Sequence, residues 1–375
     1  MSHIGGNPPT EGASVRIRSL ATCLLLVLAG LLVPTVADAA TPVAVAHCGA
    51  VLTKDAYLAT NLTCPGPNGL SIGANVTFDL RHHKLTGPGS AGSSGAGIAI
   101  LDGFSVKLSN GTVQKWGTGI GFIETGDGPA SGSATVTDVS FISNSAGSSG
   151  GMSTNLVFNR TRFLNNGTGL AGSWWGSATV SNSTFRGNQY GASIDDSALT
   201  LTNSIIDRNQ TGVYCYDAYC HLNGNSISNN KIGATNGFIG SFVMTKNLIS
   251  GNDVGVTSGG YSFVDLSHNA FVRNKTGLDL EDGFGTIYRN SFIGNGVGLA
   301  SANYSDPFAI ATIEQNVAFY NGDGFSITGV GDQLKSNTAN KNHRWGISAP
   351  NAIDLGGNRA AGNGNNPQCV GIVCR

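Results

Sequence analysis

Asn182-Ser-Thr-Phe-Arg-Gly-Asn188-Gln-Tyr-Gly191 is followed 21 residues on by Asn203-Ser-Ile-Ile-Asp-Arg-Asn209-Gln-Thr-Gly212. Asn225-Ser-Ile-Ser-Asn-Asn230-Lys-Ile-Gly233 and Asn247-Leu-Ile-Ser-Gly-Asn252-Asp-Val-Gly255 come next, then copies ending at Gly277, Gly298 and Gly324, with weaker ones around Gly119, Gly147, Gly169 and Gly346. Each copy holds Asn, an apolar pair, a second Asn and, three residues later, Gly. A repeat of this length is the mark of a solenoid, in which one coil cannot bury its apolar side alone and stacking does it. Short period-2 apolar patches such as Ala192 and Ile194, or Leu278 and Leu280, read as strands, and no stretch keeps a 3.6-residue period long enough for a helix. Two or three short strands per coil, each pairing in parallel with its counterpart about 4.8 Å away, make a right-handed parallel β-helix. Asn in a fixed register is expected at left-handed turn positions, its amide bonded to the Asn above and below. The Gly-Gly-x-Gly-x-Asp repeat of a calcium-binding roll is absent.

Working outward, the fold expected is all-β: a single-stranded right-handed parallel β-helix of about 22-residue coils with capped ends. Residues 1–39 read as leader and signal peptide, with Arg16 and Arg18 before an apolar run and Ala37-Asp38-Ala39 as a cleavage site. Residues 40–95 read as the N-terminal cap and first strands, 96–357 as the coils, and 358–375 as a disulfide-stapled C-terminal cap. After signal cleavage no stretch is long enough to cross a bilayer, so the expectation is a secreted or periplasmic protein with no membrane partner. The chain carries 21 Lys and Arg against 22 Asp and Glu, which leaves no basic face for nucleic acid. Its 55 glycines follow no Gly-X-Y period, so it is not collagen. Six cysteines follow the leader. In an exported chain an even number points to disulfides, and neighbours along a solenoid favour Cys48–Cys64, Cys215–Cys220 and Cys369–Cys374.

With the segment Cys64-Pro-Gly-Pro-Asn-Gly-Leu-Ser-Ile-Gly-Ala-Asn-Val-Thr-Phe-Asp79 leading into the repeats, the chain resembles secreted bacterial β-helix proteins of the pectate-lyase-like superfamily over about Cys48 to Asn363. That superfamily includes polysaccharide lyases, hydrolases, uronan epimerases and adhesins, so the resemblance implies the fold and leaves the chemistry open. Of the polygalacturonase motifs only Asp195-Asp196 has a counterpart, and the Tyr-Gly-x-Asp-Pro-His signature of the epimerases is missing.

The repeat itself supplies coordinates. If the residue after each coil Gly points inward, the second and fourth after it point outward and the fifth lies near the strand end. Position five reads Trp174, Asp196, Asp217, Phe238, Gly260 and Asp282, and position four reads Ser173, Asp195, Tyr216, Gly237, Gly259 and Glu281. Asp196 and Asp217, one coil apart, are the candidate catalytic carboxylates, at roughly the 5 Å of a retaining glycosidase pair. Trp174, Trp175, Asp195, Tyr214 and Tyr216 are the candidate substrate-binding residues, since aromatics beside carboxylates suit sugar rings. No metal is required; Asp279, Glu281 and Asp282 are the one place where Ca²⁺ would find hard oxygen ligands. The function expected is binding of a polysaccharide or cell-wall glycan, as a hydrolase or lyase if the glycan is turned over. The rival is a non-catalytic envelope or adhesive scaffold.

Overall fold

In a computed structural model the described residues are 41–89, 95–125, 130–303 and 309–375. The predicted signal peptide lies outside them. The fold is the expected all-β parallel solenoid, with about 14 turns of about 22 residues and no helix among the described residues.

Each coil of the central region contributes three strands, as in Tyr190–Asp195, Ala198–Thr202 and Ile205–Asp207. The first strands of successive coils form one parallel sheet of 15 strands, and the second and third rows form another of 27. Pairing runs in strict coil-to-coil register: Ala192 faces Val213 and Val213 faces Ala234. It reaches both ends, since Val51–Leu52 already pairs with Leu70–Ile72, and Cys369–Val370 pairs back onto Ile347–Ser348. Alternation within a strand decides what is inside. Ala192, Ile194, Leu199, Leu201 and Ile206 are buried, and Phe163 and Phe185 stack with centroids 4.7 Å apart.

All three corners of the coil are closed by a residue in the left-handed region. Between the first and second strands these are Trp174, Asp196, Asp217, Phe238, Gly260 and Asp282, with φ between 47° and 65°. Between the second and third they include Asn182, Asn203, Gly224, Lys246, His268 and Arg289, and between the third and the next first strand Gly187, Arg208, Asn229, Gly251 and Arg273. This corrects the expectation that the ladder asparagines hold the left-handed turns. The strained residue is the one before each ladder position, and its type varies. Only from Asn225 onward is the first Asn of the repeat a ladder residue; in the two preceding copies that place is taken by Ser183 and Ser204.

The ladders bond as expected. The Asn188 Oδ1 accepts from the Asn166 backbone N–H at 2.8 Å and from its Nδ2 at 3.1 Å, while the Asn188 Nδ2 donates to the Phe163 carbonyl and to the Asn209 Oδ1. Every amide hydrogen and the carbonyl oxygen are thereby used in a buried place, where an unpaired polar group costs about 1–3 kcal/mol. One such ladder runs along the third-to-first corner from Asn144 to Asn363, and another along the second-to-third corner from Asn225 to Asn358. Among the described residues the first-to-second corner has none.

The three expected disulfides form: Cys48–Cys64, Cys215–Cys220 and Cys369–Cys374, with Cα separations of 5.7, 6.5 and 6.1 Å. Cys215 and Cys220 are both buried. Their bridge ties a first strand to the following second strand from inside, directly under the corner Tyr216-Asp217-Ala218-Tyr219.

Candidate functional site

The corner without an Asn ladder is where the predicted residues gather. Because no stacked amide fixes its length, it accepts extra residues. Ser173 pairs with Asp195 and Ser177 with Ala198, so Trp174, Trp175 and Gly176 stand opposite only Asp196 and Ser197. The same happens where Phe238, Ile239 and Gly240 face Asp217 and Ala218. In both places the surplus residue pushes apolar side chains into solvent: Trp174 is 55% exposed, Trp175 72%, Phe238 46% and Ile239 53%.

Backbone hydrogen bonds then fix the order of the site across four coils. Trp174 and Trp175 donate to the carbonyls of Asp195 and Asp196 at 3.2 and 2.7 Å, Asp196 donates to Tyr216 at 3.1 Å, and Asp217 donates to Gly237 at 3.4 Å. Asp195 stands in register with Tyr216 on the outer side of the first sheet. Tyr190, Tyr214, Tyr216 and Phe238 form a line of rings crossing that sheet, with centroid spacings of 5.9, 6.3 and 5.7 Å, the last two pairs stacked with nearly parallel planes. Burial first, and then the neighbouring Tyr216, Tyr190 and Asp195, hold the Tyr214 hydroxyl above its usual range. The residues predicted for the site, Trp174, Trp175, Asp195, Asp196, Tyr214, Tyr216 and Asp217, are thus brought together on three consecutive coils. Asp196 and Asp217 are both half-buried and occupy the same left-handed place one coil apart, a spacing of about 4.8 Å along the stack.

Two features differ from the sequence expectation. The aromatic surface extends further: Phe238 and Tyr261 add exposed rings at the same corner, and Tyr219, 71% exposed, adds one at the start of the second row. Position five had already read Phe238; the coil from Gly233 to Gly255 is one residue longer than the coil before it, but spacing alone does not say which corner holds the extra residue. The place is also an open edge and not a cleft. Open depressions of about 590 and 550 Å³ lie along the opposite, ladder-bearing edge of the first sheet, lined by Arg208, Gln210, Lys231 and Asp253 in one and by Asn165, Thr168 and Tyr190 in the other.

Asp279 is partly buried on the first sheet, with exposed Glu281 two residues on and Asp282 buried at the corner. Among the described residues no group of three or more His, Cys, Asp or Glu is arranged to hold a metal ion. Burial first and the Glu281 charge second raise the Asp279 carboxyl above its ordinary value. A carboxyl raised on folding weakens the folded state above its folded pKa, and the penalty disappears as pH falls through the folded value to the unfolded one. Asp279→Asn is therefore expected to raise the unfolding midpoint at about pH 7 and to leave it unchanged near pH 3, where the wild-type carboxyl is protonated in both states. Thermal unfolding followed by circular dichroism at the two pH values checks this.

The family model for the right handed beta helix region matches residues 96–237 and 169–310. The chain belongs to that family. Among solved structures it is similar to the periplasmic alginate epimerase AlgG (15% identity, 76% of this chain and 72% of that one, TM-score 0.44). It is also similar to the A-module of the Azotobacter vinelandii mannuronan C-5 epimerase AlgE6 (14%, 88% and 91%, 0.41) and to the Agl-KA catalytic domain (13%, 85% and 60%, 0.40). No curated protein matches the sequence.

Proposed function

We propose that this is an exported β-helix protein that binds a polysaccharide along the Trp174–Phe238 edge of its first sheet. Asp196 and Asp217 stand there as an acid–base or acid–nucleophile pair acting on the glycosidic bond. The observation that carries the reading is the pair of exposed tryptophans, hydrogen-bonded through their backbone to Asp195 and Asp196 and two coils from Tyr216 and Asp217. Large apolar side chains in solvent cost hydration free energy unless a ligand covers them, and flat rings suit the C–H faces of pyranose sugars. Stacking on sheet-borne corners holds them in place at little cost in side-chain entropy. One strand spacing between the carboxylates is the geometry of a retaining pair, at about 5–5.5 Å. Three disulfides agree with maturation in an oxidising compartment, periplasmic or extracellular.

The second reading, a non-catalytic scaffold that binds cell-wall glycan, draws on the openness of the edge, which does not enclose a reacting bond away from water. Plant and bacterial polysaccharides assayed for binding, new reducing ends and unsaturated products separate the two. Trp174→Ala is expected to weaken binding about tenfold, the equivalent of ~1.4 kcal/mol. Asp196→Asn with Asp217→Asn is expected to abolish turnover and retain binding. Turnover that persists in the double variant would remove the catalytic assignment, and binding by the wild type without turnover would establish the scaffold.

A further inference from the structure

Charge is segregated around the coils. Through residues 168–288, the first-sheet strands, the site corner and the second-row strands occupy 168–181, 190–202, 211–223, 232–245, 254–267 and 276–288. These segments carry seven carboxylates, with Asp195, Asp196, Asp217, Asp279 and Glu281 among them, and no Lys or Arg. The intervening third-row segments carry all six Lys and Arg of the stretch and only two Asp. Some of those cations are also held in place: Arg186 is paired with Asp207, and Lys275 with Asp253. His221 is the one basic side chain in these segments.

We infer that the glycan this face takes carries no carboxylate or sulfate groups, being either neutral or amine-bearing. The inference rests on the polysaccharide reading above and narrows its ligand. A polyuronate laid along the Trp174–Phe238 edge sets a negative charge on each sugar beside Asp195, Asp196 and Asp217, with no guanidinium or ammonium from the same face to meet it. Each like-charge contact at about 4 Å weakens association by a factor of roughly five even in water. Neutral sugars meet only the aromatic faces and hydrogen-bond acceptors, and carboxylates accept readily from hydroxyls. An amino sugar adds an attraction from each ammonium. An anionic glycan would need a bridging divalent cation beside Asp279 and Glu281, the two carboxylates of that strand on the first sheet.

The test is affinity electrophoresis of the oxidised full chain in EDTA at low salt. The gels contain neutral β-glucan, galactan and mannan, then chitosan, then polygalacturonate, alginate and a sulfated galactan. The expected result is retardation by at least one neutral or amine-bearing polymer, at least about tenfold tighter than by any anionic one, and lost in Trp174→Ala with Tyr216→Ala. Asp195→Lys with Glu281→Lys should then raise retention by the polyuronates. Retention by an anionic polymer in EDTA as tight as by neutral ones, and lost in the Trp174/Tyr216 double variant, overturns the charge inference and leaves the glycan-binding edge standing. So does polyuronate binding that appears only when Ca²⁺ replaces the EDTA and disappears in Asp279→Asn with Glu281→Gln. Retention that survives the aromatic double variant, or no retention by any polymer, overturns the glycan-binding edge and this inference with it.

Discussion

Asn188→Leu is expected to lower the stability of the protein by about 4 kcal/mol, whereas Asn182→Ala, six residues earlier in the same repeat, costs less than about 1 kcal/mol. The two asparagines look alike in the sequence. Asn188 is 2% exposed and sits mid-ladder, and its loss leaves the Asn166 backbone N–H and one hydrogen of the Asn166 amide without partners in a dry place, and takes one of the bonds from the strand-paired Phe163 carbonyl. Each such group costs about 1–3 kcal/mol, and partial relaxation around leucine brings the sum to the stated figure. Asn182 is a left-handed corner residue with one exposed amide bond to Asn159. For a domain of this length 4 kcal/mol corresponds to a fall of roughly 6 °C in midpoint. Denaturant and thermal unfolding by circular dichroism read both variants. Equal losses at the two positions would mean that the ladder adds nothing beyond turn propensity, and that the repeat is held by apolar stacking alone.

That contrast marks what the sequence makes legible. Register is readable because residues 21 or 22 apart are stacked: the ladder, the inward Ala192 and Ile194, the outward Ser193 and Asp195 and the three disulfides all follow from coil length. Local backbone conformation is not. Asn is the usual non-glycine residue in the left-handed region, yet Arg208, Lys246, His268 and Arg289 adopt it here, because pairing on both sides of the corner leaves that residue no alternative and its side chain is free to point into solvent. The site is legible to the same degree. Trp174, Asp196 and Asp217 come together because they share a register. That they form an open edge, extended by Phe238 and Tyr261, depends on surplus residues at one corner: the coils from Gly169 and Gly233 are 22 residues long against 21 for those from Gly191 and Gly212, but the spacing does not say at which of the three corners the extra residue sits.

The coil glycines carry the second large effect, and for a reason other than turn formation. Gly191, Gly212, Gly233, Gly255 and Gly277 are absent from the left-handed corners; each lies one residue inside a first strand. They form a column in which a Cβ on each would meet the carbonyl oxygen of the next, at 2.3 Å between Gly233 and Gly255. Methyl groups cannot stand there unless the rungs part. Gly233→Ala is therefore expected to cost about 4 kcal/mol, above the usual 1–3 kcal/mol of overpacking because the obstacle is backbone held beside the Asn ladder and not a side chain that can turn away. Gly251→Asn is the control. Gly251 does hold a left-handed corner, at φ 66°, but Asn229 and Arg273 hold the same corner one coil on either side, so the cost should stay near 1 kcal/mol. The effect of Gly233→Ala should reach the binding edge as well. Ile232–Gly237 pairs with Val254–Ser258, whose Gly255 carbonyl is the obstacle, so parting these rungs moves Phe238 away from Tyr261 at the exposed corner. Glycan affinity measured below the unfolding midpoint should fall in Gly233→Ala and hold in Gly251→Asn. If affinity is unchanged while stability drops, the rings act one by one, and the edge does not depend on the rigid register that the column enforces.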